Sequence, residues 1–293
     1  MFEDFERRRV DSEGAEIQLR IGGSGPPLLL LHGYPQSHVM WHRVAPALAR
    51  EFTVVCPDLR GYGDSGKPPS DPAHLVYSKR SSAADMVQVM RRLGFERFML
   101  AGHDRGGRVA HRLALDHPER LLKLALLDIV PTRTLFRATD QAIATGYYHW
   151  FFLIQPYDFP ERLIGADPVY YLHHKLTSQW GGSLDSFAPE ALADYERCIR
   201  DPAMVHASCE DYRAAASIDL EHDAADLETR SIDCPLLVLW GRRALMERHF
   251  DVLQTWRERA SGTVEGHAVD CGHYIPEEAP EATVEALLRF FRE

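Results

Sequence analysis

No stretch of this 293-residue chain stays apolar for the roughly 18 residues that a membrane-spanning helix needs. The N-terminal MFEDFERRRV carries charge where a secretory signal would have an apolar centre, so no signal is read there. Basic residues are in the minority, with 33 Lys and Arg against 43 Asp and Glu, for a net charge of −10. That excludes the broad basic face on which nucleic-acid binding rests. It also means that any attraction for an anion must be built locally. The five cysteines, at 56, 198, 209, 234 and 271, are odd in number and lack CxxC spacing. They read as buried, reduced thiols of a cytoplasmic protein rather than a disulfide framework. Internal repeats and low-complexity segments are also missing.

What is present is the composition of a soluble globular protein, long enough for one large domain with an insertion or two modest domains. Short apolar runs alternate with amphipathic stretches, the pattern of a mostly parallel sheet with helices on both faces. Strands are expected at PLLLLHG (27–33), FTVVCPD (52–58), RFMLAG (97–102), LLKLALLD (121–128), PLLVLWG (235–241) and around 263–269. Helices are expected at MWHRVAPALARE (40–51), 80–93, 106–118, 247–260 and the C-terminus. From 131 to 228 the chain is rich in aromatics, Pro, Asp and His and has helical periods without a convincing strand. A helical block between two sheet strands predicts a lid, giving a core of 1–130 and 229–293 with a cap of 131–228.

The stretch AGHDRGGR (101–108) joins a buried strand to a helix through glycines. A strand, a G-x-nucleophile-x-G turn and a helix form a nucleophile elbow, which lifts one side chain above the sheet. That side chain is Asp104, where many hydrolases carry serine. A carboxylate is already ionised at pH 7 and suits displacement at a saturated carbon. Arg105 and Arg108 share the first turn of the following helix. Cations there oppose the helix macrodipole, which suggests a specific use: neutralising a substrate carboxylate that Asp104 would otherwise repel.

Over essentially its whole length the chain resembles the α/β-hydrolase superfamily. His32-Gly33-Tyr34-Pro35 is similar to its HGxP turn, whose backbone helps form the oxyanion hole. Asp58-Leu59-Arg60-Gly61-Tyr62-Gly63 is similar to its loop after the next strand, read as structural. Gly272-His273 matches the position of its histidine. The superfamily places its acid after one of two strands. The first ends in Asp128, whereas the second is followed by Gly, Arg and Arg, which leaves Asp128. The resemblance thus implies Asp104 as nucleophile, His273 as general base oriented by Asp128, and backbone N–H groups of Tyr34 and Arg105 for the oxyanion.

D-R-G-G-R resembles the elbow of fluoroacetate and haloacetate dehalogenases in particular. Further matches are HGYPQSHVMWHRVAP (32–46), LLDIVPT (126–132), YHWFFL (148–153) and CEDYRAAA (209–216). This implies that Arg105 and Arg108 grip the carboxylate of a 2-haloacetate, and that His149, Trp150 and Tyr212 meet the departing halide with neutral donors. The reaction so implied is hydrolysis to glycolate and halide, without cofactor or metal. Oligomeric state is left open, homodimerism through the lid being one option.

Some residues depart from the pattern. Tyr34 stands where phenylalanine is expected, which puts a hydroxyl at the entrance or on a water. The stretch 175–182 matches poorly, so Lys175 and Trp180 receive no role. His38 and His42, four apart, are read as a solvated helix face rather than a zinc site, as are His173 and His174. Two other functions stay in view. An epoxide hydrolase would use the same aspartate but wants two lid tyrosines, and Tyr212 supplies one. A non-catalytic small-molecule receptor on the same fold would not need the triad.

Overall fold

Residues 28–31 are four leucines in succession, with no polar face to turn toward water. They are fully buried at the centre of the sheet, in β3 (Pro27–Leu31). The computed structural model describes residues 1–178 and 182–292; Trp180 lies outside the described residues. Flanking β3 in the chain are β1 (Glu6–Asp11), β2 (Glu16–Gly22), β4 (Thr53–Pro57) and β5 (Phe98–His103). They are followed by β6 (Leu121–Leu127), β7 (Leu236–Gly241) and β8 (Val264–Val269). The strands form one sheet in the order β1-β2-β4-β3-β5-β6-β7-β8. Pairing is antiparallel from β1 to β4 and parallel from β4 to β8.

All six expected strands are present. β1 and β2 are additional, and β1 gave no pattern to read because its ERRRVD lies exposed at all but one position. Two expected helices are broken. Residues 40–51 form a 3-10 turn, His38–Trp41, and a single helical turn, Ala45–Leu48, with Pro46 in its first turn. Residues 247–260 contain the end of Leu245–His249 and a separate helix, Val252–Arg257, whose Gln254 N–H is capped by Asp251 at 3.0 Å.

Eleven helices are needed to place the site. They are α1 (Lys79–Arg92), α2 (Asp104–Asp116), α3 (Thr132–Ala138), α4 (Tyr148–Leu153), α5 (Pro168–Thr177) and α6 (Pro189–Ile199). The rest are α7 (Pro202–Ala216), α8 (Ile218–Asp226), α9 (Val252–Arg257), α10 (Ile275–Glu278) and α11 (Pro280–Arg292). α2 packs on β5, β6 and α1. α3 to α8 all fall between β6 and β7, a span with no strand among the described residues. No helix among those residues is long and apolar enough to cross a membrane, and all five cysteines are free.

One buried acid ties three parts of the chain together. Glu277 in α10 accepts a 2.5 Å hydrogen bond from the hydroxyl of Tyr195 in α6, and its carbonyl accepts from Arg43 at 2.9 Å. Gln36, two residues after Tyr34, approaches the same carboxyl at 3.5 Å. Burial pushes the Glu277 carboxyl up to about 7, and Tyr195 and Arg43 only partly offset this. An acid whose folded value lies above its unfolded value of 4.5 takes up protons on folding. Stability is therefore lost as pH rises from about 4.5 toward about 7, and the loss is complete above that window. Glu277→Gln keeps the shape and an acceptor for Tyr195 but cannot ionise. Denaturant unfolding should find the variant more stable than the parent at pH 8, by on the order of 3 kcal/mol at most, and no more stable at pH 4.5. An equal difference at both pH values would contradict this account.

Candidate active site

The chain after β5 turns so sharply into α2 that Asp104 sits at φ +46°, in the left-handed region that L residues avoid. Tight packing enforces the turn. A Cβ on Gly106 would lie 2.4 Å from the His32 carbonyl oxygen, and one on Gly102 would lie 2.6 Å from that of Gly106. Only glycine lets strand and helix approach this closely. Asp104 is thereby fixed at the first position of α2, buried, with its carboxylate aimed away from the helix.

Oδ1 of Asp104 accepts the Tyr34 N–H at 2.9 Å. Oδ2 faces His273 Nε2 at 3.9 Å, too long for a direct hydrogen bond. His273 Nδ1 lies 2.5 Å from Asp128 Oδ2. Asp128 follows β6 at φ +52°, and its Oδ1 accepts the Gly241 N–H at 2.9 Å. With both oxygens engaged, Asp128 fixes the imidazole ring. The Arg105 N–H lies in the first turn of α2, where backbone donors have no carbonyl within the helix. Thus Asp104, Asp128, His273 and the Tyr34 N–H are assembled at one point.

Burial alone would raise the Asp104 carboxyl. His273, Arg108 and Arg105 outweigh it and hold the group below the usual carboxylate range. The same burial pushes His103 down to about 3, so this neighbour is a neutral ring. Its Nε2 lies 2.7 Å from the His273 carbonyl.

Neither arginine is at a solvated helix start: Arg105 is 1% exposed and Arg108 3%. Arg105 donates from Nε to Asp211 Oδ2 at 2.6 Å and from Nη2 to the Asp211 carbonyl at 2.7 Å. Its guanidinium lies 4.1 Å from the Tyr212 ring centre. Arg108 donates from Nη1 to the Val130 carbonyl at 3.1 Å and to Thr132 Oγ1 at 2.9 Å, and lies 4.5 Å from the Trp150 ring centre. Each keeps one buried N–H group with no hydrogen-bond partner among the described residues, Nη1 of Arg105 and Nε of Arg108. Buried donors left unsatisfied are costly unless a ligand completes them.

His149 and Trp150 in α4 and Tyr212 in α7 form an aromatic cluster over the arginines. Tyr212 meets His149 edge-on at 5.7 Å and Trp150 at 5.8 Å. Trp150 Nε1 and the Tyr212 hydroxyl have no hydrogen-bond partner among the described residues. Burial and the nearby Lys175 charge hold His149 well below its ordinary value, so it is a neutral imidazole.

Other placements differ from expectation. The Tyr34 hydroxyl is taken by the Tyr171 hydroxyl at 3.0 Å. His38 is not on a solvated face: it is buried and bonded through Nδ1 to Asp58 at 2.8 Å, because the segment folds inward as a 3-10 turn. His42 is also largely withdrawn from solvent, its Nδ1 on the Val39 carbonyl at 3.0 Å. His173 pairs with Glu196 at 2.7 Å, while His174 is exposed. No group of three or more side chains suited to a metal ion occurs among the described residues.

Two parts of the site escaped sequence reasoning. Asp211 also accepts from Tyr62 at 2.9 Å and pairs with buried Lys79, so it anchors Arg105 within a network reaching Asp219. The neighbouring Tyr212 was read from the same motif, but nothing in the spacing marked Asp211. Lys175 in α5 is 2% exposed, and burial, eased by the Asp104 charge, pushes it down to about 8. A lysine between Leu172 and Leu176 on a buried helix face was the available signal.

The family model described as alpha/beta hydrolase fold matches residues 26–280. Fluoroacetate dehalogenase of Burkholderia sp is 49% identical over 291 residues, covering 99% of this chain and 95% of that one. Soluble epoxide hydrolase of Corynebacterium sp. (strain C12) is 37% identical over 285 residues, covering 95% and 94%. A solved structure from Nostoc sp PCC 7120 is 59% identical, covers 99% of both chains and superposes with a TM-score of 0.97. Family match, relatives and sheet topology agree, and the chain belongs to the alpha/beta hydrolase fold family.

Proposed function

We propose that the protein is a hydrolytic dehalogenase of 2-haloacetates, fluoroacetate among them, giving glycolate and halide. The observation that carries this reading is the pair of buried arginines beside Asp104, each with an unpartnered N–H. A substrate without an acceptor, such as a haloalkane, would leave both unsatisfied, whereas one carboxylate completes them and matches their charge. The 49% identical fluoroacetate dehalogenase supports the same reading. The helices between β6 and β7 act in it as a cap, excluding water from the reacting carbon.

In this mechanism the substrate carboxylate takes one N–H from each arginine, which brings C2 toward Asp104 Oδ2. That oxygen attacks C2 and the carbon–halogen bond breaks, the halogen leaving with the bonding pair. Trp150 Nε1, the Tyr212 hydroxyl and neutral His149 meet the charge as it develops, which matters most for fluoride. The ester is then cleaved at Cγ by a water that His273 Nε2, 3.9 Å from Asp104 Oδ2, deprotonates. Charge collects on Oδ1, where the Tyr34 N–H already points. Glycolate leaves with the former Oδ2, taking back the proton from His273, and the water oxygen stays in the regenerated carboxylate.

The second reading is an epoxide hydrolase, favoured by the 37% identical relative and the unpartnered Tyr212 hydroxyl. Chloride release from chloroacetate, with no hydrolysis of styrene oxide, decides for the first, and the reverse result decides for the second. His273→Ala incubated with chloroacetate should accumulate the elbow peptide heavier by one carboxymethyl group, with the modification on Asp104. An unmodified peptide after halide release would contradict the two-step scheme. Arg108→Ala should lower kcat/KM for chloroacetate about 10- to 100-fold, mostly through KM, as loss of a charged hydrogen bond predicts. Chloroacetamide, which has no charge to clamp, should show little change. Equal losses on both substrates would remove the clamp from the account.

A further inference from the structure

On the far side of the segment that holds Arg108 lies a second, much smaller space. It is lined by His111 and Leu115 of α2, Pro131, Arg133, Thr134, the end of α8 with Leu227, Arg230, and Arg259 just beyond α9. The space is a partly open recess of about 20 Å³, enough for a particle of about the size of a water.

The charges around it do not balance. Asp223 is taken by Arg112 at 2.8 Å. Asp226 is taken by Arg112, by Arg80 at 3.4 Å and by Arg230 at 3.3 Å. Asp116, just outside, meets Arg80 at 2.8 Å, Arg112 at 3.2 Å and Arg230 at 2.8 Å. Arg133 and Arg259 are left over. Neither forms an ion pair with any described residue, and the Arg259 side chain makes, among the described residues, one hydrogen bond, to the Leu227 carbonyl at 3.5 Å. Arg133 Nε is buried without a hydrogen-bond partner among the described residues. So is Nε2 of His111, a side chain that is 7% exposed. Burial first, and then Arg112, Arg108 and Arg259, push this imidazole down to about 3. It is a neutral ring in a positive field.

We propose that this pocket binds one small monovalent anion, a halide, held by Arg133, Arg259 and the Nε2–H of His111. The room suits a single ion, and the two carboxylates on the wall are already neutralised by other arginines. The pocket is separate from the reacting carbon but shares a wall with it. Val130 and Thr132, which hold Arg108 Nη1, flank Pro131 on the pocket's own lining. An ion here steadies the segment on which the proposed carboxylate clamp rests, whether it arrives from solution or from a reaction.

Crystals of the wild-type protein soaked in sodium bromide test this by anomalous diffraction. A bromide peak among Arg133, Arg259 and His111 is expected, and it should vanish in the Arg133→Gln/Arg259→Gln double variant. In solution, sodium bromide should raise Tm over sodium gluconate at equal ionic strength for the wild type but not for the variant. If the double variant fails to fold, Arg259→Gln alone carries the comparison. Turnover in halide-free buffer should stay within about twofold of wild type, since neither arginine belongs to the catalytic machinery. A water in place of the peak, bromide only at other positions, or a peak that survives in the variant would overturn the proposal. Because the readout is bromide density, its failure leaves the dehalogenase reading standing, and the converse also holds.

Discussion

The site depends on keeping one carboxylate ionised where water scarcely reaches. Asp104 is 3% exposed, and burial of that extent opposes its charge. The structure answers with a backbone N–H on Oδ1, an imidazole facing Oδ2, and two guanidiniums nearby. A serine at the same elbow would need none of this compensation. An aspartate there therefore constrains what lies within reach of it, and the neighbouring cations help to keep it ionised.

Those cations must themselves be held, because long flexible side chains lose precision when left free. Arg105 is fixed by Asp211, and Asp211 by Lys79 and Tyr62. Asp211 lies beside Tyr212 on α7, so the same helix anchors one arginine and offers a hydroxyl toward the proposed leaving group. Arg108 is fixed by the start of α3 instead. Each arginine thus spends part of its donor set on the segment between β6 and β7 and keeps one buried nitrogen without a hydrogen-bond partner among the described residues. That segment and the sheet are joined through the chemistry of the site, not only by apolar packing.

Much of this was legible in the sequence. The leucine run of β3 and the alternating strands and helices follow from burial alone, and the elbow glycines mark a turn only glycine permits. Asp128 was read from the family resemblance because the other candidate strand is followed by Gly and Arg, and it lies 2.5 Å from His273 Nδ1. What escaped has physical reasons. β1 has no buried alternation. Pro46 and Asp251 break helices whose apolar period is otherwise continuous. His38 looked solvated because four-residue spacing assumes an α-helix, whereas a 3-10 turn carries it inward to Asp58. Asp211 and Lys79 are 132 positions apart in the chain, and no local pattern can announce such a pair.

The central claim is that the oxygen delivered to the product comes first from Asp104 and not from water. A single turnover in ¹⁸O-water, with enzyme in excess over chloroacetate, tests it most directly. The account predicts unlabelled glycolate and one ¹⁸O in the Asp104 carboxylate, with labelled glycolate appearing only in later turnovers. Labelled glycolate in the first turnover, with an unlabelled Asp104, would contradict it.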